Sequence, residues 1–358
     1  MQDFFDLSPS QLQAQLLAWG ESAYRTKQVI AAAWEPGAAS FRQATSLPVA
    51  LRQQLDHAFQ LPKPWLPENE YEAPDGTLKA VFRLADRETI ESVAIPKDDR
   101  LTFCLSTQAG CAMGCRFCAS ARGGLRRSLT AGEIIGQIRS LALRLDQRPT
   151  NLVLMGMGEP LQNLDAVRSA LEQLTHPQAW NFSPKKTVVS TSGWLPGLEA
   201  LSRFPLPAKL AFSLNAPDGM LRNRLMPVNR RFPLERVMEA LRRYTQASGD
   251  PVCIEYVLLG GVNDRPQDAR AVGRLLRNLP CKINLIAYNP VPDGEFHAPD
   301  DEAVAAFTRE LRSHRLLCTL RTSRGSGIAA ACGQLAGQTR RIQDPARSGR
   351  VFSSQGRL

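Results

Sequence analysis

LTFCLSTQAGCAMGCRFCAS (101–120) opens as an apolar strand-like run and ends in a loop carrying Cys111, Cys115 and Cys118. Thiolates are the normal ligands of iron–sulfur clusters, and a C-x3-C-x2-C array lets one loop wrap a cube of iron and sulfide. Three thiolates bind three irons and leave the fourth open. A cofactor with an amino and a carboxylate group can chelate that iron, and Phe117, next to the last cysteine, would shield the cluster from water. The competing metal is zinc, whose structural sites take four ligands in paired spacings. No second Cys or Cys/His pair exists, and His57, His176, His297 and His314 stand at no finger or zincin spacing. The loop therefore predicts a [4Fe–4S] cluster.

Outward from this loop, apolar strand-like runs alternate with amphipathic helical ones. The strands are 101–107, 151–157, 186–192, 208–214, 252–259, 282–288 and 318–323, and helical stretches such as AGEIIGQIRSLALRL (131–145) lie between them. Such alternation implies an α/β fold with a parallel sheet, either open and doubly wound or a full or partial barrel. In both, the site gathers at the C-terminal ends of the strands. Upstream, LKAVFRL (78–84) and TIESVAIP (89–96) read as a hairpin. The first 70 residues read as helical. Ser8-Pro9-Ser10-Gln11 makes a capped start, and the Pro-rich LPKPWLPENE (61–70) a linker. The expected organisation is a helical module over 1–75, a catalytic barrel with its preceding hairpin over 76–337, and a basic flexible tail over 338–358.

Lys and Arg outnumber Asp and Glu by 44 to 34, a net charge of +10 that favours a polyanionic partner such as nucleic acid. No apolar run reaches the ~18 residues of a membrane span, and the N-terminus lacks a basic-then-apolar signal, so a cytoplasmic protein is expected. Four of the eight cysteines crowd between Cys104 and Cys118, which speaks for metal or redox chemistry rather than a disulfide framework. Arg122, Arg126, Arg127, Arg222, Arg224, Arg230 and Arg231 are read as a phosphate-binding rim.

Gly156-Met157-Gly158-Glu159-Pro160 follows the second strand of the series, and Ser190 and Ser213 end the next two. With the cysteine loop, these resemble the radical-SAM superfamily, whose partial (β/α) barrel is the fold implied. The longer segments GMGEPLQN, STSGWLPGL, LMPVN, YVLLGGVND, AYNPVP and AAACGQLAG narrow the resemblance. In order along most of the chain, they are similar to the radical-SAM RNA adenine methyltransferases of the RlmN/Cfr family, most of all the RlmN branch.

That resemblance implies methylation of adenine C2 in 23S rRNA, with tRNA as a second candidate substrate and C8 as the rival position. It also implies one [4Fe–4S] cluster, two molecules of SAM per turnover, an external electron donor and a monomeric protein. By position, Cys332 corresponds to the methyl carrier, from which a 5′-deoxyadenosyl radical takes hydrogen. Cys104 corresponds to the thiol that releases the RNA adduct through a disulfide with Cys332, and Glu91 to the proton acceptor. Gly158, Glu159, Ser190, Ser213, Leu214, Asn215 and Asn289 correspond to SAM contacts. On the residues alone Cys104 reads as an inert buried cysteine, like Cys253, Cys281 and Cys318, and Glu91 as a solvated edge residue. The chain departs from the family at Asn215, where His is usual, and at Ser326-Gly327-Ile328-Ala329, where acidic residues are usual. These departures leave substrate choice open.

Overall fold

The computed structural model describes residues 1–35, 37–336 and 351–352. Its N-terminal part begins with β1 (Gln2–Asp3), which pairs in parallel with β2 (Phe59–Gln60) and so closes a loop of three helices. These are α1 (Pro9–Ala18), α2 (Arg25–Ala33) and α3 (Val49–Ala58). The capping box expected at Ser8 forms. The Ser8 hydroxyl accepts from the Gln11 amide at 3.2 Å, and the Gln11 side chain accepts from the Ser8 amide at 2.8 Å. Two helix-end donors are thereby satisfied, and Pro9 supplies a pre-set φ at the first turn.

The main sheet starts earlier than the Pro-rich composition of 61–70 suggests. Asn69 begins β3 (Asn69–Glu72), which pairs antiparallel with β4 (Leu78–Arg83). The expected hairpin follows as β4 against β5 (Thr89–Lys97), and β5 turns through Asp98, in the left-handed conformation, into antiparallel β6 (Arg100–Cys104). A short antiparallel pair, β7 (Gln108–Gly110) with β8 (Leu125–Ser128), then clamps the two ends of the cysteine loop.

From β6 onward the pairing is parallel, in chain order. It runs through β9 (Asn151–Leu154), β10 (Thr187–Thr191), β11 (Lys209–Ser213), β12 (Val252–Leu258), β13 (Cys281–Ala287) and β14 (Cys318–Arg321). The strands stop short of the sequence runs that predicted them. The apolar tails of those runs, such as Met155–Met157, turn into the loops of the site. Helices α4 (Ala131–Leu145), α5 (Leu164–Thr175), α6 (Leu195–Leu201), α7 (Gly219–Leu225), α8 (Val228–Arg231), α9 (Leu234–Ser248), α10 (Pro266–Leu276) and α11 (Asp301–Ser313) fill the crossovers. Among the described residues no pairing joins β14 back to the first strands, so the sheet is an open partial barrel. The tail expected from 338 lies outside the described residues, apart from β15 (Val351–Phe352) beside β3.

Side chains alternate across these strands. On β12 and β13, Ile254, Tyr256, Ile283 and Leu285 are fully buried on the face carrying the main core. The intervening Glu255, Val257, Asn284 and Ile286 face the barrel interior, where they line its cavities. The core is continuous with the N-terminal helices. Phe5 packs edge-on against Trp34, Trp34 meets Trp180, and the Gln173 amide donates to the carbonyls of Phe5 and Leu7.

Candidate active site

Two adjoining cavities occupy the barrel interior. The first is lined by Cys111, Cys115, Cys118 and Phe117, and by Gly158, Glu159, Ser190, Ser213, Asn215 and Asn289. The second contains Cys104. Cys332, Cys118, Met155, Gly156, Ile286 and Gly333 border both. The structure thus brings together eleven of the thirteen site residues that the sequence singled out, from seven separate segments of chain.

The cysteine loop is held shut at its base and covered from two sides. Cys111 donates its amide to the Gly124 carbonyl at 3.0 Å, Arg116 to Leu225 at 3.0 Å, and Ala119 to Gly333 at 2.7 Å. The last bond ties the cluster loop directly to the residue after Cys332. All eight cysteines are free thiols. Burial pushes the Cys111 thiol up to about 12 and raises Cys115 and Cys118, and the charge of each neighbouring thiolate adds to the effect at Cys111 and Cys115. Three such thiols ionise together only when a cation compensates them. No three His, Cys, Asp or Glu side chains among the described residues converge tightly enough to hold one metal ion. In an iron–sulfur cube each thiolate meets its own iron, whereas a structural zinc ion takes four ligands on one atom. A buried three-thiol set on one cavity wall therefore fits a [4Fe–4S] cluster.

The GMGEP turn is built by its glycines. A Cβ on Gly156 would meet the Leu105 carbonyl oxygen at 2.7 Å, and one on Gly158, whose φ is +102°, would meet Gln108 at 2.6 Å. Both allow the turn to press against the β6–β7 connection. Glu159 is buried, its oxygens accepting from the Ser192 amide at 2.8 Å, the Ser192 hydroxyl at 2.6 Å and the Leu161 amide at 3.1 Å. Burial raises its pKa, and the Ser192 bonds oppose that rise. The Ser190 hydroxyl donates to the Leu154 carbonyl at 2.9 Å. Asn215 sits at φ +55°, a conformation asparagine tolerates better than most residues. Its side-chain oxygen accepts from the Val257 amide at 2.8 Å, locking the end of β11 to β12. Asn289 reaches the Cys332 carbonyl at 3.4 Å.

Two expected residues lie apart from the rest. The Leu214 side chain is fully buried in the core, and its carbonyl accepts from the Arg222 guanidinium at 3.1 Å. Glu91 is 2% exposed and lines neither cavity. Glu91 is thus no solvated edge residue. It faces Lys79 at 3.8 Å, and the Lys79 ammonium donates to the Ala329 carbonyl at 3.2 Å, three residues before Cys332.

Arg222, read as part of a phosphate rim, is fully buried instead. Its guanidinium donates to the carbonyls of Ser192 (2.6 Å), Leu214 (3.1 Å) and Ser213 (3.1 Å) and to the Asn229 side chain (2.9 Å). Burial lowers its pKa to about 10, while Cys115 and Glu159 pull it back up. Only a strongly basic group stays charged in such a place. It presents positive charge to the cysteine loop and binds the ends of β10 and β11 and the α8 residue Asn229. Sequence reasoning missed this role because Arg222, one of two arginines in LRNRL, looks like surface. Arg321 was missed as well. It pairs with buried Glu255 at 3.5 Å and lowers the pKa of both Cys104 and Cys332.

Cys332 is solvent-accessible, yet enough protein surrounds its sulfur to raise the thiol pKa. Burial pushes Cys104 up to about 12, and the charge of Cys332 is the next contribution. Both thiols line the second cavity.

The radical SAM superfamily model matches residues 105–271. The dual-specificity RNA methyltransferase RlmN of Syntrophus aciditrophicus is 42% identical over 93% of this chain and 96% of its own length. The chain belongs to the RlmN family. The RlmN enzyme of Geobacter sulfurreducens is likewise 42% identical, over 94% of this chain and 93% of its own. A crystal structure of a radical SAM methyltransferase from Sphaerobacter thermophilus superposes with a TM-score of 0.85 at 41% identity, covering 94% of this chain and all of that one. RlmN-family membership agrees with the parallel-rich open sheet and with the expected superfamily and enzyme class. Among the described residues no helix is long and apolar enough to cross a membrane.

Proposed function

We propose that the chain methylates C2 of an adenine in 23S rRNA, with tRNA as a second substrate. It would act as a monomeric cytoplasmic enzyme that draws electrons from an external donor and uses two SAM molecules per turnover. One observation carries the reading. Cys332 borders both the cavity lined by the three cluster cysteines and the cavity holding Cys104. A thiol so placed can take a methyl group on one side and present it to a base on the other.

Cys111, Cys115 and Cys118 would hold the cluster, and Gly158, Glu159, Ser190, Ser213, Asn215 and Asn289, with the Leu214 backbone, would contact SAM. When bound, cluster and SAM supply a reductively generated carbon radical, which adenine C2 requires because it is not nucleophilic. The chain's own residues do the rest. Asn289 and the Ala119–Gly333 bond hold the methyl-bearing Cys332 loop against the cluster loop. The Cys104 thiolate then attacks the Cys332 sulfur. The bond from that sulfur to the new carbon on the base breaks, its electron pair stays with the carbon, and a proton is taken up there. The resulting Cys104–Cys332 disulfide is returned to two thiols by an external thiol reductant. Before this release the ring proton would go to a base, the role expected of Glu91 although it lines neither cavity and faces Lys79, and the unpaired electron left on the ring would return to the external redox partner. Nucleoside mass spectrometry of RNA after anaerobic turnover tests the reading. 2-Methyladenosine is expected, 8-methyladenosine would move the reaction to C8, and unmodified RNA from an enzyme that cleaves SAM would sink it.

A further inference from the structure

The second cavity differs from the first in charge. Glu159 and Glu255 line the first, whereas among the described residues no Asp or Glu lines the second. Five cations do: Lys97, Arg100, Lys282, Arg321 and Arg324. Two of them are engaged, Arg321 with Glu255 and Arg324 with the Pro96 carbonyl. Lys97, Arg100 and Lys282 are exposed and have no partner among the described residues. Asp98 and Asp99 lie in the neighbouring turn but outside the cavity lining.

Strand alternation orders this lining into tiers. On β6 the inward residues run Arg100, Thr102, Cys104, and on β13 they run Lys282, Asn284, Ile286. Each strand carries a cation at its N-terminal end, a neutral hydrogen-bonding side chain in the middle, and a thiol or an apolar group at the site. At about 3.3 Å per residue the cation tier lies ~13 Å from the Cys104 tier along the strand. A splayed-out nucleotide has the same polarity, with a charged phosphate at one end and a flat base that makes hydrogen bonds and apolar contacts at the other.

We propose that this cavity is the channel through which the RNA nucleotide reaches Cys332, with Lys97, Arg100 and Lys282 binding its backbone phosphates at the mouth. The proposal rests on the RNA-methylating function above and places the RNA on the face opposite the expected rim. Of that rim, Arg222 is buried, Arg127 is paired with Glu133 and Asp86, and Arg231 stacks on Trp194 and Phe232.

The test is fluorescence anisotropy of a labelled RNA hairpin with an adenine in its loop, titrated with anaerobically reconstituted holoenzyme across a salt series. In the triple variant Lys97→Gln, Arg100→Gln, Lys282→Gln, the affinity should fall by about ten-fold or more near 0.1 M salt, and the log–log salt slope should flatten by about 2. The pair Arg126→Gln, Arg230→Gln on the expected rim should move both much less. Iron content and the thermal melt check that the triple variant is folded. If it is not, each single variant should flatten the slope by about 0.7. Unchanged affinity and slope in the variants, with wild-type binding intact, would overturn the channel alone. Absence of RNA binding by the wild type would overturn the RNA reading and the channel with it.

Discussion

At the residue scale, Cys104 and Cys332 have distinct expected roles although both are thiols beside one cavity. Cys332→Ala should abolish methylation while leaving iron content unchanged, because residue 332 lies outside the cluster loop. Cys104→Ala should leave a covalent protein–RNA adduct visible on a denaturing gel, and ordinary turnover by that variant would refute its releasing role. Arg222 is a test of packing. Its four acceptors lose their donors in Arg222→Met, in a fully buried position. Urea unfolding should register a loss of roughly 3 kcal/mol or more, with Arg222→Lys recovering part of it. Nothing in LRNRL announces this role. Burial of an Arg is a property of what converges on it, and one of its acceptors, the Ser192 carbonyl, lies 30 residues away beyond a helical crossover.

At the element scale, the start of α4 shows how the N-terminal segment is anchored. Thr130 and Glu133 form the expected capping box, and Asp6 adds a carboxylate oxygen at 2.8 Å from the Gly132 amide. Gly132 leaves room for these carboxylates, since a Cβ would come within 2.5 Å of the Asp3 side chain and displace it. Burial pushes the Asp3 carboxyl up to about 6, and the nearby Asp6 and Glu133 charges add to this against the Phe5 amide and Arg139. The folded state therefore holds a proton that the unfolded chain, near 3.8, releases. Stability from this group is complete below pH ~3.8 and is lost as the pH rises toward 6, an effect of about 2 kcal/mol after allowance for partial exposure. Asp3→Asn keeps the amide contact and should remove that slope from the urea midpoint measured between pH 4 and 6.

At the scale of the whole molecule, the N-terminal helices and the barrel share a continuous core. Trp34 is the link, with its ring 5.2 Å from Phe5 and 5.6 Å from Trp180 on the barrel side. Trp34→Ala should cost about 3–5 kcal/mol and lower a single unfolding transition followed by circular dichroism. Two separated transitions would show instead that the helices and the barrel unfold independently.

The sequence by itself determined the alternation of strands and helices, the helix caps at Ser8 and Thr130, the hairpin of β4 and β5, and the cluster loop. Each of these follows from residues close together in the chain, where periodicity, capping chemistry and thiol spacing act locally. Through family-specific segments it also marked Cys104, Cys332 and Glu91, whose local surroundings carry no such signal. Only the tertiary structure decided what faces the barrel interior and what does not. It brought Cys332 to the border of two cavities, buried Arg222 between the ends of β10 and β11, drew Glu91 away from solvent to Lys79, and set Lys97, Arg100 and Lys282 along one cavity. Those outcomes depend on which strands become neighbours across long crossovers, and the desolvation and charge pairing that follow exist only once the sheet has assembled.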